Sequence, residues 1–341
     1  MLVTEHMKVN DSSGRKKVVV IGGGTGTFTV LSGLKHFVAD IELSAIVTMA
    51  DSGGSTGRLR DEFGYLPVGD VRMALVALAD EQFADNQLLR NLLLYRFTKG
   101  GKNLAGHNFG NLFLVALTDI LGSELEAIRF AARMLRACGS VHPVTLDHVT
   151  LVATYDDGVV IEGEVHIDES EAERDRHRIV KLEAHPHGHI SNDAERAILD
   201  ADCIVMGPGD LYTSILAVCV VGGVREALQK TNGTILYVSN LMTKRGQTSG
   251  LCVEDHVREV ERYIGRAVDT VLANDAHFSD DLKKRYAMES EYPVLFDGSR
   301  EVEKESLLAT EEVTPTVGDV LRRSLIRHNS DALARAIMKH I

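Results

Sequence analysis

The hydrophobic pattern of the chain alternates between short β-branched runs and longer stretches in which apolar residues return at helical spacing. Residues 18–21 form the first such run, which ends at Gly22, and helical spacing follows as far as Phe37. The alternation predicts strands at 41–49, 203–206, 234–238 and 268–273, and helices at 70–80, 84–97, 109–121, 123–137, 193–201, 213–230, 254–264, about 316–327 and 330–340. We therefore predict an α/β fold: a Rossmann-like, doubly wound, mostly parallel sheet with helices on both faces.

The pattern changes near residue 143. Segments 144–155 and 159–167 have the composition of strands, and the intervening Asp157-Gly158 favours a tight hairpin turn. We predict a β-hairpin insertion at about 144–167 within one domain that spans 17–341. Residues 1–16 are polar and are predicted to be a loose N-terminal tail, and the C-terminus is predicted to be helical at about 316–340.

Charge and composition exclude several classes of function. The 341 residues include 37 Lys and Arg against 49 Asp and Glu, a net charge of −12 without basic tracts. Nucleic-acid binding needs clustered cations, so we expect no nucleic-acid partner. No apolar run reaches the roughly 18–20 residues of a membrane span, and no signal segment is evident. Four cysteines without a CxxC pair indicate reduced thiols, so we expect a cytoplasmic protein with no membrane span.

Ligands of an open parallel sheet bind beyond the carboxyl ends of its strands, and several unusual loops of this chain fall there. The first loop comprises Gly22, Gly23, Gly24, Thr25, Gly26 and Thr27. Its glycines let backbone N–H groups approach a phosphate at the start of a helix, so we predict phosphate binding. Thr27 replaces the third glycine of a dinucleotide fingerprint, and no Lys follows as in a P-loop. The alternative is a tight turn without a ligand.

The second loop, at residues 51–60, concentrates polar groups. Its candidate ligand-binding residues are Asp51, Ser52, Gly53, Gly54, Ser55 and Arg58. Arg58 or Arg60 is suited to clamping a phosphate, and Asp51 to holding a ribose hydroxyl or a metal ion. The alternative is a solvated loop whose arginines form surface ion pairs.

Two further segments open helices with polar residues. Asp70 either caps its own helix or contributes to the site. In the second segment, Asn108 and Asn111 are candidate ligand-binding residues. His107 is either an acid–base group or a hydrogen-bonded structural histidine.

The fourth glycine-rich loop follows the strand at 203–206, and another polar loop follows the next strand. The candidate ligand-binding residues here are Gly207, Pro208, Gly209, Asp210, Tyr212, Thr213, Asn240 and Thr243. Helix capping by Asp210 or Thr213 is the alternative role. The alternating histidines His185, His187 and His189 are compatible with a metal site, but no Cys or carboxylate partner accompanies them. No GxSxG motif supports covalent hydrolysis.

Six motifs occur in a fixed order: VVIGGGTG, TMADSGGSTGRLR, PVGDVR, GHNFGNL, GPGDLYTS and NLMTKRGQT. Together they resemble the YvcK-like gluconeogenesis factors, which share a CofD-like superfamily with the 2-phospho-L-lactate transferases. The resemblance extends over about residues 17–328. It implies a Rossmann-like fold that binds a UDP-sugar, notably UDP-N-acetylglucosamine. The implied role is regulation of carbon metabolism, cell-wall synthesis and cell shape.

The resemblance also bears on individual residues. Tyr286 and Arg327 match family positions suited to holding the nucleotide sugar. Many relatives carry two adjacent acids where Asp51-Ser52 stands, which weakens a two-carboxylate metal site. They commonly carry Ser where Asp210 stands, and a carboxylate beside a phosphate must point away or meet a cation.

Two enzymatic alternatives stay open. In the first, a phospholactate-type transferase holds a guanylyl diphosphate donor on the glycine loops and moves a phospholactyl group to a deazaflavin. Mg²⁺ would lie near Asp51, Arg58 would stabilise the developing charge, and His107 is the candidate base. The weaker alternative is an NAD-dependent oxidoreductase, which the broken fingerprint disfavours. The expected partners are a nucleoside-diphosphate ligand and further copies of the same chain.

Overall fold

Ten strands form two sheets in the computed structural model, which describes residues 14–82, 84–169, 172–309 and 326–341. The strands are β1 Lys16–Gly22, β2 Ile41–Val47, β3 Ser140–Pro143, β4 Thr150–Tyr155, β5 Val160–Glu162, β6 Ile179–His185, β7 Cys203–Met206, β8 Thr234–Val238, β9 Thr270–Asn274 and β10 Glu303–Glu305.

Several helices of the described ranges begin or end at residues suited to those positions. They are α1 Gly24–Leu34, α2 Gly54–Phe63, α3 Gly69–Leu78, α4 Ala84–Leu94, α5 Gly101–Leu104, α6 Phe109–Leu121, α7 Glu124–Met134, α8 Glu164–Asp168, α9 Asn192–Asp200, α10 Leu216–Cys219, α11 Val224–Lys230, α12 Val253–Ile264, α13 Asp280–Ala287 and α14 Ser330–Met338. Side chains such as Ser123 and Asn329 accept the N-terminal hydrogen bonds of α7 and α14. Gly64 and Gly122 end α2 and α6 in the left-handed conformation.

The larger sheet is fully parallel, with the strand order β10-β9-β8-β7-β1-β2-β3. The chain runs outward from β1 to β3 and then returns to β7, on the other side of β1. The strand order therefore reverses between β1 and β7, where an open α/β sheet forms its ligand crevice. This architecture confirms the predicted Rossmann-like fold.

Close packing fixes the helix that follows β1. Its strand is buried, with Val18, Val20 and Ile21 fully inaccessible to solvent. Helix α1 packs against α3 and α14. A Cβ atom at Gly33 would lie 2.1 Å from the carbonyl oxygen of Ser330, so the α1–α14 contact requires glycine. The start of α1 is thereby held in a fixed position beside the crevice.

The insertion differs in part from its prediction. Strands β4 and β5 form the expected antiparallel hairpin, but residues 164–168 form helix α8 instead of a strand. Gly163, with φ = 95°, ends the strand because this backbone conformation does not continue a ladder. Strand β6 completes a separate three-stranded sheet in the order β5-β4-β6. The segment before the insertion, Ser140–Pro143, is an edge strand of the larger sheet.

Other predictions were also wrong in detail. Most of the predicted loop at 51–60 is helix α2, whose helical spacing is masked by its glycines. The predicted helix at 213–230 is interrupted by Gly222 and Gly223 and begins with a π-helical turn over Leu211–Ile215. Helix α13 and strand β10 were not predicted.

The two ends of the chain are described only in part. Lys16 already belongs to β1, and the rest of the predicted tail up to residue 13 lies outside the described residues. Almost all of the predicted helix at 316–327 also lies outside them, whereas the last predicted helix is confirmed as α14. Within the described ranges, no helix combines the length and apolar character that a membrane crossing requires.

Candidate functional site

The glycine loops after β1 and β7 are in direct contact at the point where the strand order reverses. A Cβ atom at Gly26 would lie 1.9 Å from the carbonyl oxygen of Pro208, so only glycine permits this approach. The side-chain amide of Asn240, after β8, donates to the carbonyl oxygen of Gly209 at 2.8 Å. The structure therefore brings together three loops that the sequence singled out separately.

Asp70 holds the start of α1. Its Oδ1 accepts a hydrogen bond from the backbone N–H of Gly24 at 2.9 Å, and a Cβ at Gly23 would lie 2.3 Å from its Oδ2. The N-cap of its own helix is Val68, so Asp70 is not the helix cap considered above. Gly24 has φ = 61° and no heavy atom within 4 Å of a Cβ position, which leaves open space above this turn.

Asp51 lies next to the same turn. Its Oδ1 accepts from the N–H of Gly53 at 2.8 Å, and a Cβ at Gly69 would lie 2.3 Å from its Oδ2. Burial raises the pKa of Asp51 above its ordinary value, although hydrogen bonds from Gly53 and Thr56 oppose that shift. Burial and the charge of Asp51 raise the pKa of Asp70 to about 7. The two carboxyl groups therefore share a site that disfavours their charged forms.

A third acid reaches this position from the insertion. Glu164 begins α8, and its Oε2 lies 3.4 Å from the backbone nitrogen of Ser52. The N–H of Val165 donates to the Ser52 hydroxyl at 3.2 Å. Burial, Asp51 and Asp168 raise the pKa of Glu164 to about 9. The sequence signal for Glu164 was weak, because its segment was predicted to be a strand.

The opposite wall of the crevice carries its own acids and a lysine. Asp168, at the end of α8, accepts from Lys244 Nζ at 3.4 Å and from Gln247 Nε2 at 3.1 Å. Burial and Asp168 raise the pKa of Asp210 to about 7, while Lys244 acts to lower it. Burial lowers the pKa of Lys244, but Asp210, Asp168 and Glu291 raise it above its ordinary value. Lys244 thus provides the positive charge that offsets the carboxylate of Asp210, the position where relatives commonly carry Ser.

The arginines of α2 are held by nearby groups. Arg58 donates to the carbonyl oxygen of Ala105 at 3.1 Å, and Arg60 forms an ion pair with the adjacent Asp61. The guanidinium of Arg72, only 8% exposed, lowers the pKa values of Asp51 and Asp70 against the larger effect of burial. Arg72 is therefore a cation of the site that the sequence did not single out.

The segment at 107–111 is buried behind α2. The Ser55 hydroxyl lies 3.1 Å from His107 Nδ1 and accepts from the N–H of Asn108 at 3.1 Å. Asn108 caps α6, and the Asn111 amide donates to Thr56 Oγ1 at 3.1 Å. Burial lowers the pKa of His107, and the guanidinium of Arg58 lowers it further. His107 is only 3% exposed, which fits the alternative role of a hydrogen-bonded structural histidine.

The remaining candidates lie at various distances from the glycine loops. The backbone N–H of Thr243 donates to the carbonyl oxygen of Tyr292, and the Thr243 hydroxyl accepts from the N–H of Tyr292. The Tyr212 hydroxyl lies 3.2 Å from Oε1 of Glu259, in α12, and 3.3 Å from the carbonyl oxygen of Ile179, in the insertion sheet. Thr213 is buried in the π-helical turn. The Tyr286 hydroxyl accepts from the N–H of Ile326, next to Arg327. The structure thus brings the loops after β1, β7 and β8 together, and it gives Tyr212 and Tyr286 hydrogen-bond partners in other parts of the fold.

A divalent cation fits the chemistry of the Asp51–Asp70 pair. Backbone N–H groups fix both carboxylates. Burial raises the pKa of each, and the charge of Asp51 raises the pKa of Asp70 further, so a bound cation would favour the charged forms of both. Among the described residues, two sets of three side chains place potential metal-ligand atoms within 4.8 Å of one another: Asp156–Asp157–His177 and Cys252–Glu254–Asp297. Neither includes the three alternating histidines. Asp51 and Asp70 are two carboxylates, and Mg²⁺ is commonly held by one or two carboxylates together with water and ligand phosphate.

Comparison with known proteins decides the family. The family model described as 2-phospho-L-lactate transferase CofD matches residues 18–314. The chain belongs to the CofD family. A Thermotoga maritima protein is 41% identical over 321 residues, which cover 94% of this chain and 98% of that protein. The Bacillus subtilis protein named gluconeogenesis factor is 35% identical over 325 residues, covering 95% and 98% of the two chains. Within the CofD family, the chain therefore lies among the gluconeogenesis factors.

A solved structure supports the same placement. The crystal structure of a UPF0052 family protein from Bacillus halodurans superimposes with a TM-score of 0.84 at 33% identity, covering 95% of this chain and 99% of that one. The resemblance inferred from six motifs is thereby confirmed at the level of family and fold. For this member of the CofD family, motif order was a better guide than any single glycine loop.

Proposed function

We propose that this CofD-family protein binds a UDP-sugar, with UDP-N-acetylglucosamine as the expected ligand, and regulates carbon metabolism, cell-wall synthesis and cell shape. The observation that carries the proposal is the contact between two glycine loops at the reversal of strand order, Gly26 against Pro208. Such a crevice is where open α/β sheets bind nucleotides. Open space above Gly24, at the N-terminus of α1, suits a phosphate group.

Mg²⁺ is the proposed cofactor. Asp51 and Asp70 would hold it, and it would offset the repulsion between these acids and the diphosphate. The residues of the chain then bind and orient the ligand: glycine loops contact the phosphates, and Arg72 balances part of the carboxylate charge. The ion, when bound, supplies charge neutralisation.

Calorimetric titration tests this proposal. UDP-N-acetylglucosamine should bind in Mg²⁺, whereas NAD should not, and GDP should bind more weakly. Asp51→Asn should weaken UDP-N-acetylglucosamine binding in Mg²⁺ by about 10- to 100-fold, since a charge-assisted contact contributes roughly 1.5–3 kcal/mol. Asp40→Asn is the matched control, because Asp40 is exposed and lies outside the crevice. Binding of NAD alone, or full affinity in Asp51→Asn, would refute the proposal.

A transferase is the second candidate function, and one observation favours it. Asp70 and Glu164 add carboxyl groups that interact with Asp51, although the residue adjacent to Asp51 in sequence is Ser52. Phosphoryl-type transfer needs a well-held metal and a positioned acceptor. The test is product formation from a guanylyl phospholactate donor and a deazaflavin with Mg²⁺. Robust turnover that Asp51→Asn abolishes would favour the enzyme, whereas UDP-sugar binding without turnover of either ligand favours the regulator.

A further inference from the structure

Helix α4 leaves an uncharged face in solvent. Leu88 and Leu92 of this helix and the adjoining Tyr95 are exposed and lie at helical spacing, with Leu88 64% exposed. Of residues 87–95, only Arg90 is charged, and it is half-buried. A free surface helix normally carries charged residues on its solvent side, so this face has the composition of a contact surface.

The neighbouring helix α6 extends the apolar surface. It begins beside the end of α4, where the N–H of Phe109 donates to the carbonyl oxygen of Tyr95 at 2.8 Å, and the two helices pack against each other. Of its 13 residues, only Asp119 is charged. Ala116 and Ile120, four residues apart, are exposed, and Ile120 is 77% exposed. The α4–α6 face comprises Leu88, Leu92, Tyr95, Phe113, Ala116 and Ile120.

The size of the α4–α6 face fits an interface between two protein chains. Its side chains leave roughly 500 Å² of apolar surface exposed, near the upper end of the largest patch on a typical monomer. A standard interface takes about 800 Å² from each partner, of which somewhat more than half is apolar. The α4–α6 face and the polar residues around it therefore supply the area that a stable dimer needs.

The charges at the two ends of α4 indicate that the partner is a second copy of the chain. Asp85 is exposed in the first turn of α4, and the exposed Lys99 follows its end. Two copies of α4 that pack antiparallel about a twofold axis would bring the acidic end of each to the basic end of the other. Each copy carries a net charge of −12, so association is favourable where the contact is uncharged or paired.

We propose that the α4–α6 face is the interface of a twofold-symmetric homodimer, in which α4 of one protomer packs antiparallel on α4 of its partner. Leu92, near the middle of the apolar strip, lies close to the axis and contacts the partner's Leu92. Asp85 faces the partner's Lys99. The inference is independent of the proposed function, because none of these residues belongs to the crevice at the glycine loops.

Sedimentation velocity of the full chain over a range of concentrations measures the dimer. We expect the wild type to be dimeric at micromolar concentration. Leu92→Glu should weaken the dimer at least about 100-fold, because each dimer loses two buried leucines and gains two like charges at the axis. Leu199→Glu is the matched control, since Leu199 lies on α9 and, like Leu92, is 40% exposed. The control should leave the dimer unchanged, and thermal unfolding should show that both variants are folded.

Exchange of the end charges tests the antiparallel arrangement. Asp85→Lys and Lys99→Asp should each weaken the dimer about 3- to 10-fold at low salt, because like charges then meet in both symmetric contacts. The double variant restores opposite charges and should recover the affinity of the wild type. A wild type that stays monomeric at about 100 μM, or a dimer that Leu92→Glu leaves intact, would overturn the inference. Single variants that weaken the dimer without recovery in the double variant would overturn it as well.

Discussion

The two walls of the crevice hold their carboxyl groups in different ways. Asp51 and Asp70 accept backbone N–H groups of Gly53 and Gly24, so the chain itself fixes their positions. On the other wall, the side chains of Lys244 and Gln247 hold Asp168. Carboxylates fixed by backbone are preorganised for a metal ion, whereas long side chains can exchange one partner for another. The first wall therefore suits a metal ion, and the second suits adjustment to the ligand.

The largest expected effect concerns the contact where the walls meet. Gly26→Ala places a methyl group against the Pro208 carbonyl and should destabilise the fold by at least about 3 kcal/mol, since the backbone must move. Gly24→Ala meets open space and only a strained φ, so it should cost about 1 kcal/mol. Denaturant unfolding of both variants measures the difference.

The affinity for the nucleotide tests the role assigned to Gly24. Gly24→Ala should lose UDP-sugar affinity, because its methyl group occupies the space assigned to phosphate. Gly122→Ala is the control: φ is 67°, the Cβ position is open, and the residue ends α6. It should lose the same stability without losing affinity. If Gly24→Ala and Gly122→Ala bind equally well, the phosphate lies elsewhere.

The next prediction concerns pH and the first wall. The pKa of Asp70 in the folded protein, about 7, exceeds its unfolded value near 4, so the folded state binds more protons between these values. Without a divalent cation, stability should therefore decrease as pH rises from about 4 to 7. After allowance for solvent screening, we expect a loss of about 2 kcal/mol from Asp70. Denaturant unfolding in EDTA at several pH values measures it.

A conservative variant identifies the group responsible. Asp70→Asn keeps an oxygen for the Gly24 N–H and cannot ionise, so it should remove the contribution of Asp70 to the pH dependence and raise stability at pH 8. Mg²⁺ should stabilise the wild type at pH 8 more than the variant. A wild-type profile that is flat, or that rises over this range, contradicts the assigned charge balance.

The smallest expected effect tests the second wall. A double-mutant cycle of Asp168→Asn and Lys244→Gln should give a coupling energy of about 0.5–1 kcal/mol, because the pair is partly exposed and its atoms are 3.4 Å apart. Saturating Mg²⁺ and UDP-sugar should alter this coupling if the pair exchanges partners on binding. A coupling that the ligand leaves unchanged would mean that both walls are equally fixed.

The parallel sheet could be predicted because its strands are short, β-branched and buried, as in β1 and β8. Helix α2 could not, since its two glycines, Gly54 and Gly57, have low helix propensity and only the folded chain compensates for them. The π-helical start after Asp210 has no sequence signal that we recognise.

The candidate site divides in the same manner. Glycine-rich loops are easy to recognise in a sequence. Because these loops follow strands of one parallel sheet, their contact at the crevice was predictable. Glu164, Asp168 and Lys244 were not singled out, because their roles arise from contacts between segments about 75 to 110 residues apart. Asp70 was seen, but its bond to Gly24 was not. Local pattern indicates which loops bind, and tertiary structure decides which charges surround the ligand.

The most direct test of the account is a crystal of the protein with UDP-N-acetylglucosamine and Mn²⁺, in which the ion is located by its anomalous scattering. We predict an anomalous peak at coordination distance, about 2.2 Å, from carboxylate oxygens of Asp51 or Asp70. The diphosphate should lie over Gly24 and beside the loop at Gly209. An ion or diphosphate bound outside this crevice, with the glycine loops empty, would contradict the account.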